Sequence, residues 1–372
     1  MITAMSRVVS KNLFNFELKG VMSPFAKQSM EQMRAMAMSE ENGAIIKKMM
    51  ELALKDDDES QREYLQILRA QMSQFMQLIE NAEEFQCGID TTTTSQIQVP
   101  TSHYGDYDVD VHVYTPKVLE NQKNRAAFLY AHGGGAIAGR ADEFETSLRH
   151  TAHTRDLVVF NVDYRLAPET KCPNNIKDFY EVIKYVHTNA DSLGIDPNKI
   201  VIAGDSGGGY ICLGSMVLLA ERDEVHMVKL AIPGIPMVDD YCFGDPLCMT
   251  VEEREAALPM RSCWEKIADN FEEQKSSPYL FPGKASDEIL AKFPPTIINE
   301  MEFDMFITEA SRLATRLKRV GRLLEFIVIP GHCHTTAYLP KSDGHAILTE
   351  TFDKIVKEYI HGEIIQIDQD IK

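Results

Sequence analysis

From about residue 95 onward the chain alternates between short, largely apolar runs and longer stretches of helical period. The runs at 126–131, 157–162, 200–203, 228–233, 296–300 and 323–329 have the length and composition of buried strands. Helical patterns fall between most of them, the repeat expected of parallel βα units. Strict alternation at Ser95 to Val99 and at Val109 to Tyr114 predicts an opening hairpin, and a last helix near 345–360 carries Leu348, Phe352, Ile355, Val356 and Tyr359 on one face. The pattern therefore predicts an α/β protein with a mostly parallel, eight-stranded sheet flanked by helices.

Residues 1 to about 90 follow a different rhythm. Tyr64, Leu65, Leu68, Met72, Phe75, Met76 and Ile79 recur at intervals of three and four, and Asp56, Asp57, Asp58 and Glu59 place negative charge where the positive end of a helix dipole would lie. Further helices are expected over Met30 to Met38 and over Ile45 to Leu54, the second with Ile45, Ile46, Met49, Met50 and Ala53 on one face. This segment holds 11 of the 18 methionines, so it is either ordinary core filling or a flexible thioether lining for varied apolar ligands. A second break falls between residues 236 and about 290, where a stretch containing Trp264 and several charges shows no strand. It reads as an insertion after the sixth strand and is expected to pack with the N-terminal helices.

Composition narrows the partners. A formal net charge of −18 would repel a phosphate backbone, so nucleic acid is not an expected partner. Cys87, Cys172, Cys212, Cys242, Cys248, Cys263 and Cys333 are odd in number and lack CxxC spacing, which suggests free thiols in a reducing compartment. The first 25 residues include Arg7, Lys11, Glu17 and Lys19 and no long apolar stretch, and nowhere do 18 apolar residues run together. A cytoplasmic location, no membrane span and no cofactor are expected.

Two glycine-rich turns carry the chemistry. His132-Gly133-Gly134-Gly135 and Gly204-Asp205-Ser206-Gly207-Gly208-Gly209 each follow a strand run directly, and the second leads into a helix containing Ile211, Leu213, Met216, Val217 and Leu218. A GxSxG turn between strand and helix lifts the serine hydroxyl to the carboxyl edge of a parallel sheet, and its glycines leave room in a strained elbow. A serine nucleophile also needs a base, and the base needs a carboxylate to orient it. Asp304 follows the run at 296–300 and His334 the run at 323–329, in the order serine, acid, histidine that such a sheet uses. The spacings are 98 and 30 residues, enough for an inserted segment in the first interval and one helix-strand unit in the second. His332 is the rival base, and Asp239 and Asp240 are rival acids. His332-Cys333-His334 also leaves open a metal-dependent hydrolase, since alternate histidines can face one ion.

HGGGAIAG at 132–139, DYRLAPE at 163–169, GDSGGGY at 204–210 and EFD at 302–304 together resemble the hormone-sensitive-lipase family of α/β-hydrolases over roughly residues 95–340. The resemblance implies an α/β-hydrolase fold and a carboxylesterase in which Ser206 is the nucleophile, Asp304 the orienting acid and His334 the base. The amides of Gly134, Gly135 and Gly207 would form the oxyanion hole. It also implies a helical cap built from residues 1–90 and 236–290, over a hydrolase core formed by 91–235 and 291–372. A small-molecule ester with a short to medium acyl chain is the expected substrate, and a homodimer is compatible with the family. Family members usually carry Ala and Asn where this chain has Gly207 and Tyr210, and a Pro-Leu turn where it has Met305 and Phe306. A non-catalytic ligand-binding protein on the same fold, or an amidase or lactonase using the same triad, are the alternative readings. DYRLAPE is expected to be structural, with Pro168 shaping a turn and Arg165 pairing locally with Glu169.

Overall fold

The computed structural model describes residues 20–37, 40–53, 55, 57–101, 107–240, 262–339 and 341–362. The expected N-terminal charges up to Lys19, together with Asp56, Cys242 and Cys248, lie outside the described residues. Eight strands form one sheet: β1 Thr92–Pro100, β2 Asp108–Pro116, β3 Arg125–Ala131, β4 Val158–Val162, β5 Ile195–Asp205, β6 Leu230–Gly234, β7 Thr296–Met301 and β8 Leu323–Ile329. Their order is β1-β2-β4-β3-β5-β6-β7-β8. The hairpin β1-β2 and the β2-β4 pair are antiparallel, and every other neighbour is parallel.

The six inner runs are largely apolar because helices cover both faces of that part of the sheet. Side chains alternate between two cores along each strand. On β3, Ala127, Leu129 and Ala131 face one core while Ala126, Phe128 and Tyr130 face the other. The first core is covered by helices Asn174–Thr188, Gly207–Glu221 and Ile307–Arg319, and the second by Glu145–Arg155 and Asp343–Ile355. Residues before the sheet form helices Pro24–Ala37, Glu40–Ala53 and Asp58–Glu80. The last begins where the acidic cluster predicts, with Asp57 as N-cap accepting a 2.8 Å hydrogen bond from Ser60 N.

Several boundaries depart from the periodicity, each for a local reason. β5 starts five residues early because Arg125 pairs with Ile195 across a bulge, drawing the polar stretch 196–199 into the strand. The final helix begins at Asp343, capped by the Ser342 hydroxyl, and its last turn, Val356–Ile360, widens to a π-turn. In the insertion, the described residues hold only short helical pieces and no strand. Trp264 is fully buried there between Tyr210 and Phe281, and the Lys266 ammonium lies 5.1 Å from the Tyr64 ring of the third N-terminal helix. Insertion and N-terminal helices therefore touch.

The expected local pairing of Arg165 with Glu169 is wrong. Arg165 grips Asp178 with two side-chain hydrogen bonds, Nε to Oδ2 at 2.8 Å and Nη2 to Oδ1 at 2.6 Å, which supply the buried carboxylate with a paired cation. Glu169 turns instead to Arg69 of the third N-terminal helix, at 2.7 Å. Among the described residues no helix is long and apolar enough to cross a membrane.

Candidate active site

Ser206 occupies the junction of β5 and the helix Gly207–Glu221, with φ 57° and ψ −116°. Only a tight elbow holds a non-glycine residue there, and its geometry turns the side chain out of the sheet edge. Two glycines make the turn possible. A Cβ on Gly208 would overlap the carbonyl oxygen of Ala131 at the end of β3, and one on Gly204 would overlap the carbonyl of Gly208. Ser206 N donates to Gly234 O at 2.9 Å, which anchors the elbow on β6. The hydroxyl also sits at the amino end of a 15-residue helix, where unpaired N–H groups favour developing negative charge.

His334 and Asp304 reach this hydroxyl from the loops after β8 and β7. His334 Nε2 lies 2.9 Å from Ser206 Oγ, and His334 Nδ1 lies 2.7 Å from Asp304 Oδ2. With Nδ1 donating to the carboxylate, Nε2 is left to accept from the serine hydroxyl. Asp304 is buried, and its second oxygen accepts from Phe306 N at 2.9 Å. The Phe306 ring stands edge-on to the imidazole at 5.2 Å, so Phe306 both caps the acid and braces the base. Burial opposes protonation of His334, but the charge of Asp304, its hydrogen bond and the charge of Asp205 outweigh it and hold the imidazole above its ordinary value of 6.5.

The HGGG loop lies against the elbow. Gly134 and Gly135 have φ of 114° and 63°, and Ala138 N and Ile137 N both donate to Gly134 O, at 2.9 and 3.1 Å. A Cβ on Gly207 would fall 2.5 Å from Gly135 N, so the backbones of those two glycines run side by side next to Ser206. The loop is held from beneath by Tyr164 of DYRLAPE, whose hydroxyl donates to His132 O at 2.7 Å while its ring stacks on His132 at 4.4 Å.

The rival residues are engaged elsewhere. His332 is fully buried, with Nδ1 3.1 Å from Thr336 Oγ1 and Nε2 3.1 Å from Asp343 Oδ1. Asp240 pairs with Lys284 at 2.9 Å, and Asp239 lies beside Glu309. Among the described residues no group of three or more His, Cys, Asp or Glu is arranged to hold a metal ion.

The sequence did not reveal what lies under the nucleophile. Asp205, half-buried directly before Ser206, accepts from Tyr130 at 2.8 Å and from Tyr338 at 2.9 Å, and Asn299 donates to Tyr338 at 3.2 Å. Four strands and loops converge on that carboxylate. Its position in GDSGG was the one available signal. The same region opens into a cavity of about 420 Å³ lined by Ser206, His334, Gly133 and Gly134 at one end and largely by apolar side chains beyond. Met72, Phe75, Met76 and Ile79 of the third N-terminal helix contribute to its wall.

Comparison with known proteins agrees with this architecture. Residues 128–338 match the family described by the alpha/beta hydrolase fold, and the chain belongs to that family. An AB hydrolase superfamily protein of Schizosaccharomyces pombe is 38% identical over 245 residues, covering 62% of this chain and 69% of that protein. An acetyl esterase of Salmonella paratyphi A is 29% identical over 251 residues, covering 65% and 72%. Among solved structures, a hyperthermophilic esterase from Pyrobaculum calidifontis superimposes with a TM-score of 0.72 at 24% identity, covering 91% of this chain and 98% of that one. A bacterial heroin esterase gives 0.68 at 27% identity, covering 78% and 90%.

Proposed function

We propose that Ser206, His334 and Asp304 act as nucleophile, base and orienting acid, and that the amides of Gly134, Gly135 and Gly207 hold the oxyanion. The chain is a carboxylesterase, a reading that its family and its esterase relatives support. His334 takes the proton from Ser206 Oγ as that oxygen attacks the ester carbonyl, and the carbonyl oxygen gathers negative charge among the glycine amides. The protonated imidazole then gives its proton to the departing alcohol. Water, deprotonated by the same ring, attacks the acyl-serine and releases the acid. The single observation that carries this reading is the unbroken pair of contacts, 2.9 Å from serine to imidazole and 2.7 Å from imidazole to aspartate.

The N-terminal helices and the insertion at 236–290 act as the two parts of a cap over Ser206. Support comes from the Lys266 to Tyr64 contact and from the methionines of helix Asp58–Glu80 that line the cavity. The substrate is a small ester of short to medium acyl length, in keeping with an apolar cavity and an acetyl esterase relative. A cytoplasmic location and a homodimer complete the proposal.

Purified wild type and Ser206→Ala, each assayed against p-nitrophenyl acetate, test it. The wild type is expected to turn over and the variant to lose about a million-fold in kcat. Comparable turnover by Ser206→Ala would contradict the assignment.

A further inference from the structure

The cavity beside Ser206 continues far below the catalytic groups, along the sheet face covered by helices Glu145–Arg155 and Asp343–Ile355. Three independent rulers give its depth. Along the strands, Ala203, Tyr130 and Ile232 line it at one level and Phe128 lines it opposite Val201, five positions before Ser206, or about 16 Å at about 3.3 Å per residue. On one covering helix the lining runs from Ser147 to Arg155, about 12 Å at about 1.5 Å per residue. On the other it runs from His345 to Ile355, about 15 Å. Between these walls the lining is chiefly apolar, with Leu148, Ile232, Leu348, Phe352 and Ile355 facing the space. At the deep end stands Arg155, paired with Asp353 at 3.0 Å and set over the Phe352 ring at 4.8 Å.

Resting on the carboxylesterase reading above, we propose that this channel seats the acyl chain of the ester and tunes the enzyme to medium-length chains rather than to acetyl groups. An extended chain of bonds about 1.5 Å long advances about 1.3 Å per carbon, so a channel about 15 Å deep holds about 11 or 12 carbons. Shorter acyl groups leave apolar wall uncovered. Longer ones must drive a methyl end against the buried Arg155 guanidinium, which opposes entry of an apolar group.

The test is a kcat/KM series on p-nitrophenyl acetate, butyrate, octanoate, decanoate, dodecanoate and hexadecanoate. The expected profile climbs by about two- to fourfold per methylene as carbons enter the channel, peaks between octanoate and dodecanoate, and falls at hexadecanoate. Two wall variants read the channel from opposite directions. Ile232→Phe, about 10 Å below Ser206 by strand register, should lower the decanoate-to-butyrate ratio at least about tenfold. Phe352→Ala, on a partly exposed side chain, should raise the hexadecanoate-to-octanoate ratio. A wild-type maximum outside octanoate to dodecanoate overturns the inference, as do ratios unmoved by both variants, while ester hydrolysis itself stands. Absence of turnover on every ester, by protein that is folded by circular dichroism, overturns the carboxylesterase reading instead.

Discussion

At the residue scale the decisive group is His334, and its environment fixes a pH dependence. Asp304 raises the affinity of the imidazole for a proton against the opposing effect of burial, so the base form is lost at a higher pH than in free histidine. The acid limb of kcat/KM is therefore expected above pH 6.5. Asp304→Asn removes the charge that favours protonation, so a pH-rate profile should show the limb moving down, with kcat lower by about 10⁴. The same pair stabilises the fold fully below the unfolded value of 6.5, and that contribution fades as pH rises through the raised value. His332 should behave differently. His332→Ala leaves Thr336 and Asp343 without their ring partner and is expected to lower stability in urea by about 1–3 kcal/mol while ester turnover persists. His334→Ala should do the reverse. Ser206, Asp304 and His334, which the fold brings together, could be singled out in the sequence because each follows a largely apolar run in the order serine, acid, histidine. Tyr130 and Tyr338 were not, since nothing in a linear pattern says which hydroxyls meet Asp205.

At the element scale the site depends on how closely the helix after Ser206 approaches the strands. Gly204 and Gly208 allow that approach, with the helix start resting on the end of β3. Gly208→Ala has no free space to enter and meets backbone rather than a movable side chain. It should cost about 1–3 kcal/mol in a urea melt and lower kcat through displacement of the neighbouring amides. The inner strands were readable because coverage on both faces makes them largely apolar, and the edge hairpin because it alternates; the core of each of the eight strands lies where those patterns predict. Ends were less readable, because caps and bulges are set by polar residues. Asp57 and Ser342 fix helix starts by single hydrogen bonds, and the polar stretch 196–199 joins β5 only because β3 offers it a partner. Arg165 shows the same limit: its true partner, Asp178, is 13 residues away on the helix Asn174–Thr188.

At the scale of the whole molecule, the N-terminal helices are fastened to the core through Arg69. Its guanidinium donates to Ile137 O at 2.8 Å, to Ala167 O at 3.1 Å and to Glu169, joining the third N-terminal helix to the HGGG loop and to DYRLAPE at once. Arg69→Ala should ease opening of this segment by about 1.5–3 kcal/mol, seen as about 10- to 100-fold faster limited proteolysis within residues 20–80. An unchanged cleavage rate would mean that apolar contacts alone hold the helices down. Two breaks in composition set these segments apart along the sequence. The strand order and the channel were not visible, because both arise from contacts between elements distant along the chain. The identity of Ser206 as the reacting atom is the claim on which the cap, the channel and the pH profile all rest.

Covalent trapping tests that claim most directly. Wild type, Ser206→Ala and His334→Ala are treated with a fluorophosphonate, digested and mapped by mass spectrometry. A single adduct on the peptide containing Ser206, absent from Ser206→Ala and formed far more slowly in His334→Ala, is predicted. An adduct on another residue that accompanies loss of esterase activity would contradict the account.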